Sequence, residues 1–178
     1  MRREMEIVMK AQAVSETQLD IEPLISTYGQ AILRYCHLLL RDYHEAQDAV
    51  QTTFFLAFKK GRITGEPAPW LYKIAYNHCI DILRKRKRLN NYLDKEKNTA
   101  KQSYSMDDGM SDEVKAALGK LSPQDRALVI NRLIDDMSYD ELAQVYNINA
   151  ATLRQRYVRA KQKLAQALRE QGLEDTHG

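Results

Sequence analysis

The chain has little glycine or proline, 7 and 4 in 178 residues. With helix-favouring residues dominating the remainder, that scarcity predicts an all-α protein of one domain or two small ones. Cysteine is scarcer still, with only Cys36 and Cys79. Two thiols set within helical patterns do not make a disulfide framework, and they fit a reducing cytoplasm. No stretch reaches the roughly 20 apolar residues that span a bilayer. The first residues carry Arg2, Arg3, Glu4 and Glu6 with no continuous apolar core, so no secretory signal is expected there. A glycine-rich phosphate loop, a nucleophile motif and a metalloprotease motif are all missing. Cys36-His37 with His44, and His78-Cys79, lack the paired spacing of a zinc site. No metal, cofactor or catalytic residue is assigned.

An excess of one charge is missing too. Lys and Arg number 27 against 24 Asp and Glu, a net +3 that does not by itself point to nucleic acid. The distribution says more. Arg84 to Arg88 is an unbroken basic run and the C-terminal region is basic, whereas Asp107, Asp108, Asp112, Glu113, Asp135 and Asp136 gather the acids elsewhere.

Hydrophobic periodicity lays out two helical domains joined by a flexible polar linker. Residues 1–20 form a polar extension. The first domain, 21–89, has a helix from Ile21 to about Leu40, a turn at Arg41-Asp42-Tyr43, and a helix from about His44 to Lys60 with Ala46, Val50, Phe54 and Ala57 on its core face. Gly61 to Pro69 reads as a loop broken by Gly61, Gly65, Pro67 and Pro69, before a helix from Trp70 to about Leu89. Residues 90–110 are polar and mixed in charge, the composition of a tether. The second domain, 111–172, begins near Ser111. Ser122-Pro123 supplies an N-cap with proline at the first helical position, and Ala127, Val129, Ile130, Leu133 and Ile134 make a core side. Residues 173–178 are a tail.

The end of the second domain reads as a helix-turn-helix. Ser138-Tyr-Asp-Glu141 is a capping box ahead of a short helix with Leu142, Ala143 and Val145 on its apolar side. Asn147 can take the left-handed backbone of the turn, and Asn149 caps the next helix. Ala150, Leu153, Tyr157, Ala160, Leu164 and Leu168 form one buried stripe of that helix. Thr152, Arg154, Gln155, Arg156, Arg159 and Lys163 are spread over its other faces, with no acid between Asn149 and Arg169. A basic, amide-bearing helix presented by a tight turn suits a DNA major groove, although a plain helical hairpin with a solvated face has the same pattern.

The Trp70 helix carries a second surface of this kind. Leu71, Ile74, Ala75, Cys79 and Ile82 are its core stripe, while Trp70, Lys73, Asn77, Arg84 and Arg88, with Lys85 in the basic run, combine an aromatic, an amide and cations. Cations follow phosphates, a ring stacks a base and an amide reads a base edge, as single-stranded DNA requires. On the helix before it, Asp48, Gln51, Thr52, Phe55 and Lys59 lie opposite the core stripe, and an exposed Phe55 is an anchor a partner protein can bury.

In this order the pieces resemble a bacterial RNA polymerase sigma factor of the extracytoplasmic-function (ECF) group, from about Ile21 to Leu168. Ala46 to Phe54 looks like that family's polymerase-binding helix. Trp70 to Asn77 with Asp81 and Arg84 looks like its promoter-melting helix. Ser138 to Ala143, with Thr152 to Arg156 and Arg159 to Lys161, looks like its last helix-turn-helix. The resemblance implies that Asp48, Gln51 and Phe55 meet core RNA polymerase at the clamp helices of its largest subunit, with a further contact to the flap. It implies that Asn77 holds a base flipped from the opened strand, beside a pocket formed by the loop of about 61–69. It places Arg154, Gln155 and Arg159 against the upstream promoter element. It also implies an anti-sigma factor as a partner, no membrane insertion, a cytoplasmic protein and no covalent chemistry of its own. Thr52 stands where the family has an acidic residue and Asn147 where it has glycine, while Ala150, Ala151 and Gln155 alter the reading helix. The alternatives are a DNA-binding regulator that is not a polymerase subunit, or an enzyme acting on nucleic acid.

Overall fold

The computed structural model describes residues 2–7, 19–93 and 108–175, with side chains described as far as 172. Most of the expected extension, the middle of the expected linker and the last three residues of the expected tail lie outside the described residues, and residues 173–175 of that tail continue the final helix. Beyond a short exposed helical stretch at 2–7, seven helices follow one another, and no strand occurs among the described residues. They are α1 (Glu22–Leu40), α2 (Tyr43–Lys60), α3 (Pro67–Tyr92), α4 (Asp112–Gly119), α5 (Pro123–Val129), α6 (Tyr139–Tyr146) and α7 (Ala150–Asp175).

Local chemistry sets most of these boundaries. Arg41 ends α1 in a left-handed conformation (φ 60°), and Asp42 starts α2 by accepting from the Glu45 amide at 2.9 Å. Gly61 closes α2 at φ 74°, a backbone that costs glycine nothing. α3 begins at Pro67 rather than at Trp70. Proline lacks an amide hydrogen that the first turn would leave unbonded anyway, so Pro67 and Pro69 start the helix instead of ending a loop. Ser111 and Ser122 cap α4 and α5 by accepting from the Val114 and Asp125 amides.

A π turn, Ile130–Ile134, continues α5 and corrects one expectation. Its wider winding advances the following side chains by one position. Leu133, expected in the core, is 53% exposed, while the polar Asn131 is fully buried.

α1, α2 and α3 pack around Ile32, Tyr35, Cys36, Leu39, Ala46, Ala49, Leu71 and Ala75, and Cys36 and Cys79 meet with sulfurs 3.6 Å apart as free thiols. Leu128, Ile130, Leu142, Val145, Leu153 and Ala160 fill the second half. The two halves do not stand apart, and their buried side chains form one continuous core, with α3 laid along α6 and α1 against α5.

Polar groups stitch this seam. Arg34 Nη2 of α1 donates to Asp135 Oδ1 at 3.0 Å, Asn131 Nδ2 donates to Asp135 Oδ2 at 3.1 Å, and the Tyr146 hydroxyl donates to Asn131. The Tyr76 and Tyr146 rings meet edge to face, 4.7 Å between centroids. Arg126 is buried and donates to the Leu39, Leu118, Gly119 and Leu121 carbonyls, tying the C-terminal ends of α1 and α4. Asp108 is buried as well, with the Lys115 ammonium 3.0 Å away and His37 Nδ1 at 4.0 Å. Asp108 and Asp135, from the two acidic clusters, are therefore interior. Each has a cationic partner, without which burying a carboxylate is costly.

Candidate nucleic-acid interface

The turn between α6 and α7 is built as its residues require. Ser138 and Glu141 form the reciprocal capping box, Asn147 is left-handed (φ 54°), and Asn149 Oδ1 accepts from the Thr152 amide at 2.8 Å. Leu153, Tyr157, Ala160, Leu164 and Ala167 face the core, with Ala150 and Leu168 half-buried at its ends. Thr152, Arg154, Gln155 and Arg159 point to solvent. The other two expected DNA-contacting cations are engaged within the fold. Arg156 is half-buried with Nε 3.0 Å from Asp125 Oδ1, and the exposed Lys163 reaches the other oxygen of that carboxylate at 3.5 Å. Asp125 thus binds α5 to the inner side of α7, leaving Arg154, Gln155 and Arg159 as the open set.

On α3 the structure divides the expected stripe. Lys73 and Asn77 are exposed, but Trp70 is only 9% exposed and packs at the helix start. Trp70 and Lys73 line a cleft of about 500 Å³ with Thr64, Gly65 and Pro69, its far wall being Ala143, Gln144 and Asn147 from the helix-turn-helix. The loop of 61–69 and the first part of α3 thus face the turn of the second half directly. Arg84, Lys85 and Arg88 are exposed, Arg84 pairing loosely with Asp81 at 3.6 Å. Arg86, in the same basic run, turns inward, donating to the Leu40 carbonyl at 3.1 Å and pairing with Glu45. One of the five cations in that run is therefore structural.

On α2, Asp48 and Gln51 are exposed and Phe55 is 60% exposed with the Lys59 ammonium 5.7 Å from its ring, while Thr52 is half-buried.

Sequence reasoning missed the residues between the two surfaces: Arg34, Tyr72, Asn131, Asp135, Tyr139 and Tyr146. One signal was available. Ten tyrosines against three phenylalanines is an excess of rings that need a polar partner when buried. Tyr72, facing the Asp135 carboxylate, is raised far above the ordinary phenol value by burial first and by that charge second.

The family model described as Sigma-70 region 2 matches residues 24–89, and that described as Sigma-70, region 4 matches residues 111–164. Among curated proteins, the ECF RNA polymerase sigma factor SigW of Bacillus subtilis is 27% identical over 94% of this chain and 99% of its own length. SigM of the same species is 25% identical over 88% of this chain and 99% of its own length. Among solved structures, the sigma factor RpoE in complex with the anti-sigma factor NepR, from Bartonella quintana, superposes with a TM-score of 0.73, covering 84% of this chain and 97% of that one at 24% identity. CnrH in complex with the cytosolic domain of CnrY superposes with a TM-score of 0.64, covering 92% of this chain and 96% of that one, also at 24% identity.

Proposed function

The chain belongs to the ECF group of bacterial sigma factors, and from that membership we propose how its two halves divide the work. It directs transcription initiation by RNA polymerase, with core polymerase and promoter DNA as partners. Two separate nucleic-acid surfaces support the division: Lys73 and Asn77 on α3, and Arg154, Gln155 and Arg159 on α7, all exposed. The α7 set reads the minus-thirty-five element as duplex from the major groove. The α3 set holds the opened minus-ten strand, Asn77 reading a flipped base beside Trp70 while Lys73, Arg84, Lys85 and Arg88 follow phosphates. Asp48, Gln51 and Phe55 dock α2 on the clamp helices of core polymerase. Thr152 flanks the groove contact, while Arg156 and Lys163, paired with Asp125, hold α7 in place for it. The protein acts in the cytoplasm and performs no covalent chemistry. Binding energy for the unpaired strand offsets an unstacking cost of a few kcal/mol per flipped base.

The packed arrangement is a closed state in this reading. By their names the two elements lie about 25 base pairs apart, roughly 85 Å at 3.4 Å per base pair. α7, 26 residues long, measures about 39 Å. Halves packed through α3 and α6 cannot present α3 and α7 to elements that far apart, so the halves part when the chain joins polymerase and promoter. Of the two similar structures, one is a sigma factor complexed with an anti-sigma factor and the other is CnrH complexed with the cytosolic domain of CnrY. A partner of the anti-sigma class would hold this chain closed.

Permanganate footprinting with reconstituted holoenzyme tests the reading. Thymines at the downstream element become reactive only when both core polymerase and this chain are present. With Asn77→Ala the reactivity falls, and a premelted template restores transcription. Opening that needs no polymerase, or that Asn77→Ala leaves unchanged on duplex DNA, contradicts it.

A further inference from the structure

Tyr139, the first residue of α6, lies under two guanidinium groups. Arg154 of α7 sits 4.9 Å from its ring centroid and Arg132 of the π turn 5.1 Å. The ring is fixed from its other contacts. It is half-buried, it meets the buried Tyr157 ring edge-on at 6.2 Å, and the capping box anchors the backbone beside it. Arg132 is itself held, its Nη1 lying 3.5 Å from Asp136 and 3.4 Å from the Met137 carbonyl. Arg154 differs from its neighbours. Arg156 and Lys163 are committed to Asp125, whereas Arg154 makes no hydrogen bond or ion pair with the described residues. Stacking engages the flat face of a guanidinium and leaves its fork of N–H donors free, so the ring orients the group without occupying what it would use on a base.

We propose that Tyr139 is a positioning residue for promoter recognition, holding Arg154 ready for bidentate contact with a guanine edge in the upstream element. The proposal rests on Arg154 being a base reader. An unstacked arginine side chain samples many rotamers that must be lost on binding, and its charge then meets phosphates as readily as bases. The ring removes much of that freedom beforehand and limits the reach of the group to the start of the groove. Arg132 adds a second positive charge over the same ring.

The test is selection from randomised upstream elements by holoenzyme carrying wild-type chain, Tyr139→Phe, Tyr139→Leu, Arg154→Ala or Tyr139→Leu with Arg154→Ala. Leucine keeps apolar bulk and leaves the Ser138–Glu141 cap intact, but it removes the aromatic face. Phenylalanine restores that face without the hydroxyl. Arg154→Ala should relax preference at one or two base pairs. Tyr139→Leu should relax the same positions by roughly 2- to 10-fold, the range a partly exposed cation–π contact supports. Tyr139→Phe should match wild type, and the double variant should lose no more than Arg154→Ala alone. If Arg154→Ala relaxes the preference but Tyr139→Leu does not, or if the two losses add, the positioning role is wrong. If Arg154→Ala leaves the preference intact, the base-reading assignment falls and the positioning role with it. Circular dichroism and affinity for core polymerase, expected to match wild type for Tyr139→Leu, separate these outcomes from misfolding.

Discussion

Burial pushes the Asp135 carboxyl above the ordinary carboxylate range, while hydrogen bonds from Arg34 and Asn131 pull it back. The net direction is upward, so the packed chain binds that proton more readily than a chain whose halves have separated. Packing is therefore strengthened as pH falls through the raised value, and the gain levels off below the ordinary 3.8. At neutral pH the charge is tolerated because Arg34 and Asn131 satisfy it. Asp135→Ala removes the acceptor for both and should cost about 1–3 kcal/mol, the range for a buried donor left unpaired. Arg34 is one-third exposed, which places the loss toward the lower end. Solution X-ray scattering should show a larger radius of gyration for Asp135→Ala at unchanged helix content. An equal radius would mean that the apolar seam alone holds the halves together. None of this was legible in the sequence. Asp135 and Asp136 are adjacent acids of identical appearance, and only the π turn before them decides that one is buried with Arg34 while the other is exposed beside Arg132.

Helices were legible where capping chemistry was explicit. Ser111, Ser122, the Ser138–Glu141 box, Asn147 and Asn149 occupy the positions their side chains dictate. The misses share a physical cause, namely that winding and packing override local pattern. Proline in a first turn starts a helix as well as it breaks one, which moved the start of α3 to Pro67. A π turn shifts the phase of a stripe, which brought Leu133 out and Asn131 in. On α2 the pattern needed no such correction, since Ala46, Phe54 and Ala57 are buried, Val50 is half-buried, and Asp48, Gln51 and Phe55 are exposed. Asp48→Ala combined with Gln51→Ala should therefore leave thermal stability within about 0.5 kcal/mol of wild type, as for exposed sites generally. The same pair should weaken binding to core polymerase, measured by fluorescence anisotropy with labelled chain. Full affinity in a folded double variant would remove α2 from the docking surface.

At the scale of the molecule, composition suggested two domains on a tether, and the helices of the two halves do follow that order. Their contact was hidden because it joins residues far apart in sequence, such as Arg34 to Asp135 and Tyr76 to Tyr146, through polar and aromatic groups that no periodicity marks. The surfaces proposed to read DNA were largely legible, since exposed basic and amide residues on a helix face are a local feature. What the fold changed was their context, with Arg156, Lys163 and Arg86 engaged internally and Trp70 drawn into the cleft facing α6. The central claim is that one chain reads two separated promoter elements with two different helices once its halves part. Run-off transcription from a randomised promoter library, with core polymerase and wild-type chain, Asn77→Ala or Gln155→Ala, tests it most directly. The account predicts transcripts that depend on the chain and start downstream of two separated motifs, with Gln155→Ala altering only the upstream motif and Asn77→Ala only the downstream one. A single motif, or both substitutions acting on the same one, would contradict it.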